Sequence, residues 1–263
     1  MASTFFTLFG KKPLIGMVHL LPLPGAPGYG GSVAQIEDAA FADLLALEEG
    51  GADAYIIENF GDIPYASFFG DEAFAVMSCI TAKLANASPL PFGINIQANC
   101  SQKEWALAYA ARAAFIRVET FVENRLGSFG TAFAAAPALM RQKAQFPSET
   151  MIFADIHTKH TFAMTPEQTT QLCIREAAES GAAALIATGL LTGCNPSLAE
   201  VAQMKELAGD LPVLLGSGIS KDNAAAFFAA ADGAIVGSSI KIDGDVHRPV
   251  DRQRVLALAQ AIR

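Results

Sequence analysis

Residues Pro212–Lys241 read PVLLGSGISKDNAAAFFAAADGAIVGSSIK. Two short apolar runs, PVLLGSG from Pro212 and GAIVGS from Gly233, flank a helical stretch over Asp222–Ala231. Runs this short, bounded by glycine and polar residues, suit strands buried on both faces. The order strand, helix, strand calls for parallel pairing through a right-handed crossover.

The same unit recurs back toward the N-terminus. Further runs are PLIGMVH from Pro13, ADAYIIE from Ala52, FGINIQ from Phe92, FIRVE from Phe115, MIFADIH from Met151 and AALIATG from Ala183. Helices are predicted over Val33–Glu49, Asp71–Ala87, Lys103–Ala111, Thr131–Gln145, Pro166–Glu179, Ser197–Ala208 and Val250–Ile262. Ser32, Ser101, the Thr165–Pro166 pair and Ser197 supply helix starts, while Gly50–Gly51, Gly181 and Gly209 supply ends. Eight strands, each followed by a helix, predict an α/β fold: a single (β/α)8 TIM barrel of the phosphate-binding type, one domain over residues 1–263. An open doubly wound sheet would want a G-x-G-x-x-G after its first strand, which HLLPLPGAPGYGG from His19 lacks.

Composition narrows the functional classes. The chain has 263 residues, 52% of them hydrophobic and 17% charged, enough apolar material for a large core. A formal charge of −8 without a basic run argues against binding nucleic acid. Cys79, Cys100, Cys173 and Cys194 form no C-x-x-C pair and read as reduced thiols. The basic residues of MASTFFTLFGKKP follow its apolar ones, the reverse of a signal peptide, and no run reaches membrane-spanning length. A cytoplasmic protein without a transmembrane segment is expected.

Side chains alternate along a strand, so polar rows can be separated from apolar ones. Ile94 and Ile96 oppose Asn95 and Gln97; Ile116 and Val118 oppose Arg117 and Glu119; Ile152, Ala154 and Ile156 oppose Asp155 and His157. The apolar rows should pack on helices, and the polar rows should line the barrel near its C-terminal mouth. There they form either an internal ion pair of Arg117 with Glu119 or Asp155, or a ligand site. His19 and Glu58 end the first two strands, and Lys159 and His160 follow His157, so three of the four histidines map to the mouth.

The last two strands carry the anion signal. Gly216, Ser217, Gly218, Gly237, Ser238 and Ser239 stand where barrels of this type hold phosphate, on backbone amides and a short helix start. Lys241 would join them if its side chain turned inward. Two tight turns that need glycine only for geometry are the plainer alternative.

Several segments together resemble the BtpA family, named for a photosystem I biogenesis protein. They are GMVHLLPLPGAP from Gly16, ENFGDIPY from Glu58, FGIN from Phe92, FIRV from Phe115 and ADIHTKH from Ala154. ATGLLTG from Ala187, GSGI from Gly216 and DGAIVGSSIKIDG from Asp232 complete the collinear set. The resemblance implies a phosphate-binding barrel, and some members carry names suggesting nucleosidase or sugar-operon roles. QANCSQ from Gln97 and SFG from Ser128 depart from the family pattern in loops that would meet the rest of a ligand.

Two functions follow as expectations. One is an enzyme acting on a small phosphorylated sugar or nucleotide-like substrate by acid–base chemistry. Its catalytic candidates are Asp155, Glu58, His157, His19 and Lys159, and its substrate contacts Asn95, Arg117, Glu119 and Thr188. Glycosidic cleavage, isomerisation and aldol chemistry stay open. Lys159 raises a Schiff-base route, but its place past a strand end points to exposure. Asp155, His157 and Glu58 could hold a divalent metal, though no compact ligand motif supports one. The other function is a non-catalytic assembly or stability factor. A homo-oligomer is compatible with both.

Overall fold

Phe115 and Phe153 stack at 4.4 Å inside a ring of parallel strands, and that contact sits deep in the barrel. A computed structural model describes residues 4–66, 68–189 and 196–263. Helix α1 (Thr4–Phe9) precedes β1 (Leu14–His19), α2 (Val33–Gly50), β2 (Ala54–Glu58), α3 (Asp71–Ala87), β3 (Phe92–Asn95), α4 (Ser101–Ala111) and β4 (Phe115–Val118). Short strands β5 (Arg125–Gly127) and β6 (Gly130–Ala132) follow, then α5 (Ala136–Gln145), β7 (Met151–Ile156), β8 (Thr161–Ala163) and α6 (Thr170–Glu179). The chain continues through β9 (Ala184–Ala187), α7 (Leu198–Ala208), β10 (Val213–Leu215), α8 (Ala224–Ala230), β11 (Gly233–Val236), two 3₁₀ turns (Ser238–Ile240, Ile242–Gly244) and α9 (Arg252–Ile262). The last part of the ATGLLTG segment, Leu190–Gly193, and Cys194 lie outside the described residues.

Strands β1, β2, β3, β4, β7, β9, β10 and β11 close a parallel barrel, in agreement with the strand–helix count. The outward rows behave as alternation predicts: Ile94, Ile96, Ile116, Val118, Ile152, Ala154 and Ile156 all pack in the layer shared with the helices. The inward rows divide by depth. Ile15, Met17, Ala54, Ile56, Phe115, Phe153, Ile186, Leu214 and Ile235 fill the lower barrel. Phe5 of α1, absent from the sequence reading, closes its floor at 5.7 Å from Phe153. Gly93 makes room for this packing, because a Cβ there would lie 2.2 Å from the Phe115 ring. Polar residues occupy the level above.

Helices α5 and α6 start four or five residues later than expected, at Ala136 and Thr170 against Thr131 and Pro166. Residues 130–132 pair with β5 instead of beginning α5, and β8 pairs with the other edge of β5, so α6 opens only at Thr170. The resulting three-stranded antiparallel sheet, in the order β6-β5-β8, comes from the segments following β4 and β7. It therefore sits on the rim of the mouth. Among the described residues, no helix is long and apolar enough to cross a membrane.

Candidate active site

Strand register brings the first polar groups together. His19 pairs with Glu58 and Glu58 with Asn95, so the ends of β1, β2 and β3 present three polar side chains at one level. Glu58 accepts a hydrogen bond from Gln97 Nε2 at 3.0 Å, and Asn95 Nδ2 donates to the Arg117 carbonyl at 2.9 Å. On the next two strands, β4 and β7, the Arg117 guanidinium grips Asp155 with two hydrogen bonds, Nε to Oδ1 at 3.1 Å and Nη2 to Oδ2 at 3.0 Å. The pair is almost wholly buried. Burial alone would lower the Arg117 pKa, but Asp155 overrides it and holds the guanidinium above its ordinary value.

These groups form one wall of a cavity of about 360 Å³, lined there by His19, Glu58, Phe60, Arg117 and Lys159. The rest of the lining includes the turn Gly216–Ser220 and residues Gly237–Ser239. Among the described residues, the amides of Gly218, Ile219, Ser238 and Ser239 find no backbone acceptor, and all four residues line the cavity. Gly218 holds a left-handed φ of 74°, which a side chain would strain. Gly237 abuts the imidazole of His19, whose Cε1 would lie 3.3 Å from an added Cβ.

Burial sets the proton affinities of this site. It drives His19 well below its usual pKa, with Lys241 and Lys159 adding to the effect, so the imidazole is neutral. That ring stacks on Phe60 at 4.2 Å, and its Nδ1 is buried without a hydrogen-bond partner. Burial also pushes Glu119 up to about 7, against the pull of Arg117. Glu104 of α4 is raised well above the ordinary carboxylate range by burial and then by Glu119. Lys159 is lowered by burial and by the neighbouring Arg117 charge.

The sequence profile of the BtpA family matches residues 10–263. The chain belongs to the BtpA family. It is 36% identical over 255 residues to an uncharacterized protein of Pyrococcus abyssi, covering 97% of each chain. It is 34% identical over 261 residues to the photosystem I biogenesis protein BtpA of Synechocystis sp., covering 98% of this chain and 90% of that one. Among solved structures it resembles thiamine phosphate pyrophosphorylase from Pyrococcus furiosus, with a TM-score of 0.57 and 16% identity over 97% of this chain and 96% of that one. The structural likeness places this BtpA-family chain among TIM barrels.

Several expectations for the BtpA-family site need correction. His157 does not enter the mouth: its φ of 57° breaks the alternation that carries Phe153 and Asp155 inward. Its ring instead meets Glu123 Oε2 at 3.3 Å and Thr170 Oγ1 at 3.0 Å, beneath the rim sheet. His160 is exposed, leaving His19 as the one of the three in the cavity wall. Lys241 turns away from the glycine loops and donates to Asp43 Oδ2 at 2.6 Å, tying the C-terminal turns to α2. Gly216 spends its amide on the Ala187 carbonyl at 2.8 Å, and its lack of a Cβ makes room for Thr188 and Ile186. Ser217 Oγ accepts from the Gly189 amide, and Ser239 Oγ donates to the Ile219 carbonyl, so the backbone supplies the unspent donors. Helix α8 has only seven residues and begins after Asn223, so the turn before it, and not the helix, lines the cavity.

Thr188 stands behind the Gly216 turn, its hydroxyl 3.4 Å from the His157 carbonyl. Asn95, Glu119 and Asp155 likewise stand one layer behind the lining. The proposed metal donors Asp155, His157 and Glu58 are not brought together, because His157 points elsewhere and Asp155 is bound to Arg117. A different triad, Glu123, His157 and Cys173, has ligand atoms within 4.8 Å of one another. Arg125 Nη1 lies 2.5 Å from Glu123 and 3.1 Å from His157 Nδ1, so a guanidinium already serves as that cluster's cation. Sequence reasoning missed Phe60 and Glu104, and it put Gln97 in the inward row of Asn95 without naming it as a site residue. Phe60 follows directly on Glu58-Asn59.

Proposed function

We propose that this chain is an enzyme that binds a small phosphorylated sugar or nucleotide-like molecule at the barrel mouth and acts on it by proton transfer. The observation that carries the reading is a cavity lined both by turns with unspent amides and by Glu58, Arg117, Lys159 and neutral His19. Amide hydrogen bonds to an ionised oxygen contribute about 1.5–3 kcal/mol each. Fixing the phosphate there presents the remaining carbons to the charged wall. A neutral imidazole and a carboxylate on adjacent strand ends suit an acid–base pair.

The test is thermal denaturation of the whole chain with inorganic phosphate, ribose 5-phosphate and uncharged ribose. Both phosphates should raise Tm and ribose should not; occupancy at a hundred times Kd contributes about 2.7 kcal/mol. Gly237→Asp, which sets a carboxylate against the anion and crowds His19, should abolish the rise. No response to either phosphate at millimolar concentration would overturn the proposal.

A second reading, a non-catalytic assembly factor, draws on the name of the Synechocystis relative and on exposed apolar side chains of the rim. Leu126 and Phe162 pair across strands, and Phe133 lies nearby in sequence beyond β6, all at least half exposed. It predicts no thermal response to phosphorylated ligands, so the same melts separate the two.

A further inference from the structure

Lys159 and Lys241 are the two lysines that the C-terminal strand ends bring inside the molecule, and their surroundings differ. Lys241 Nζ is locked on Asp43 at 2.6 Å. Lys159 shares the cavity wall with Arg117 and Glu58, and its Nζ makes no hydrogen bond or ion pair with any described residue. His157 and His160, with φ of 57° and 60°, turn the chain on either side of it, which reverses the expectation of an exposed side chain. An amine held at a cavity wall, unspent and next to a fixed guanidinium, is arranged as a nucleophile and not as a structural counter-ion.

Building on the anion-site reading above, we infer that Lys159 forms a Schiff base with the carbonyl carbon of a phosphorylated aldehyde or ketone whose phosphate rests on the Gly218 and Ser238–Ser239 amides. The Nζ lone pair adds to the carbonyl carbon while the C=O π electrons move to oxygen, giving a carbinolamine. Two protons pass from nitrogen to that oxygen, with the carboxyl of Glu58, which shares the cavity lining, as carrier, and the oxygen leaves as water. The net change is an amine plus a carbonyl giving an imine plus water, and it requires no oxidant or reductant. Burial and the Arg117 charge lower the proton affinity of Lys159, which favours the neutral amine relative to an ordinary lysine. Arg117, immobilised by Asp155, keeps a positive charge beside it throughout. A cavity of about 360 Å³ accommodates a molecule the size of a triose or pentose phosphate.

The experiment traps the imine. The whole chain is incubated at pH 7 with dihydroxyacetone phosphate and sodium cyanoborohydride, digested, and mapped by mass spectrometry; parallel samples use unphosphorylated dihydroxyacetone, or add inorganic phosphate in excess. The reduced adduct should sit on Lys159 at least about ten-fold above any other lysine, since an activated amine reacts ahead of ordinary ones. It should fall with excess phosphate and with the unphosphorylated ketone. Lys159→Arg should give no adduct on that peptide, and the wild-type map decides the matter even if this variant folds poorly. Labelling spread evenly over the lysines, or absent from Lys159, overturns the inference. If Lys159 is spared while phosphate still raises Tm, the amine fails and the anion site stands. If Lys159 is labelled selectively but phosphate neither protects nor stabilises, the amine stands and the anion reading falls.

Discussion

Two buried clusters in this barrel have nearly the same composition and opposite character. Beneath the rim sheet, Arg125 meets Glu123 at 2.5 Å, Thr161 through Nε and through its carbonyl, and His157 at 3.1 Å. Glu123 also accepts from the His157 amide at 2.7 Å, and the far nitrogen of His157 is taken by Thr170. Nearly every polar group is spent, and the hydrogen bonds from His157 and Arg125 hold Glu123 below its ordinary pKa despite its burial. In the mouth, Arg117 and Asp155 satisfy each other, yet Lys159, His19 Nδ1 and the turn amides keep unused capacity. A residue inventory does not separate a brace from a reactive site; the unspent donors and lone pairs do.

The sharpest way to break the comparison is to remove the arginine from each cluster. Arg117→Met and Arg125→Met each strand a buried carboxylate, and each should cost about 3–5 kcal/mol in urea unfolding. Stability should not tell them apart. Ligand response should: Arg125→Met ought to keep the Tm rise with phosphate, measured at a temperature where it remains folded, while Arg117→Met ought to lose it. Equal retention in both variants would erase the distinction between brace and site.

A smaller effect comes from protonation in the mouth. Glu119 ordinarily titrates near 4.5 and in the folded chain near 7, because burial favours its neutral form. Between those values the native state binds more protons than the unfolded chain, so this group stabilises the fold below about pH 4.5 and loses that contribution as pH rises toward 7. The stability of wild type relative to Glu119→Gln should therefore decline across that window in urea titrations at several pH values. Glu123 runs the other way. Its lowered pKa means that wild type should gain on Glu123→Gln as pH rises through the acid range, and a common slope for the two variants would contradict the assignment.

The eight barrel strands were legible because each is a short apolar run ending in glycine or a polar residue, and parallel strands buried on both faces leave that mark. The outward rows, such as Ile94 with Ile96, followed from alternation alone. The rim sheet was not legible: its strands have three residues each, too few for a period, and β5 finds β8 across an interval of more than thirty residues. That omission displaced the predicted starts of α5 and α6. In the site, His19 and Glu58 were placed by their positions at strand ends and Arg117 by strand parity, which holds while the backbone stays extended. Parity fails at His157, where a left-handed residue ends the alternation, and the same turn brings Lys159 into the cavity. Lys241 misled for another reason. Its partner Asp43 lies 198 residues earlier, on a helix face that sequence spacing does not link to it.

The smallest test addresses whether the brace is closed throughout or only at its ion pair. Thr170 Oγ1 lies 3.0 Å from His157 Nε2, at the first turn of α6, and Thr169 independently caps that helix by accepting from the Leu172 amide. Thr170→Val keeps the side-chain shape and leaves the cap in place, so it removes one hydrogen bond and little else. The expected loss is about 1 kcal/mol, the usual net worth of a neutral hydrogen bond. The His157 ring, half-buried and freed at one nitrogen, should then show a displaced Nε2 resonance by NMR at fixed pH, while phosphate still raises Tm as in wild type. If that resonance did not move, the imidazole would be held by Glu123 and Arg125 alone. If the phosphate response moved with it, the rim and the mouth would be one coupled network, and the contrast between spent and unspent clusters would have to be redrawn around both.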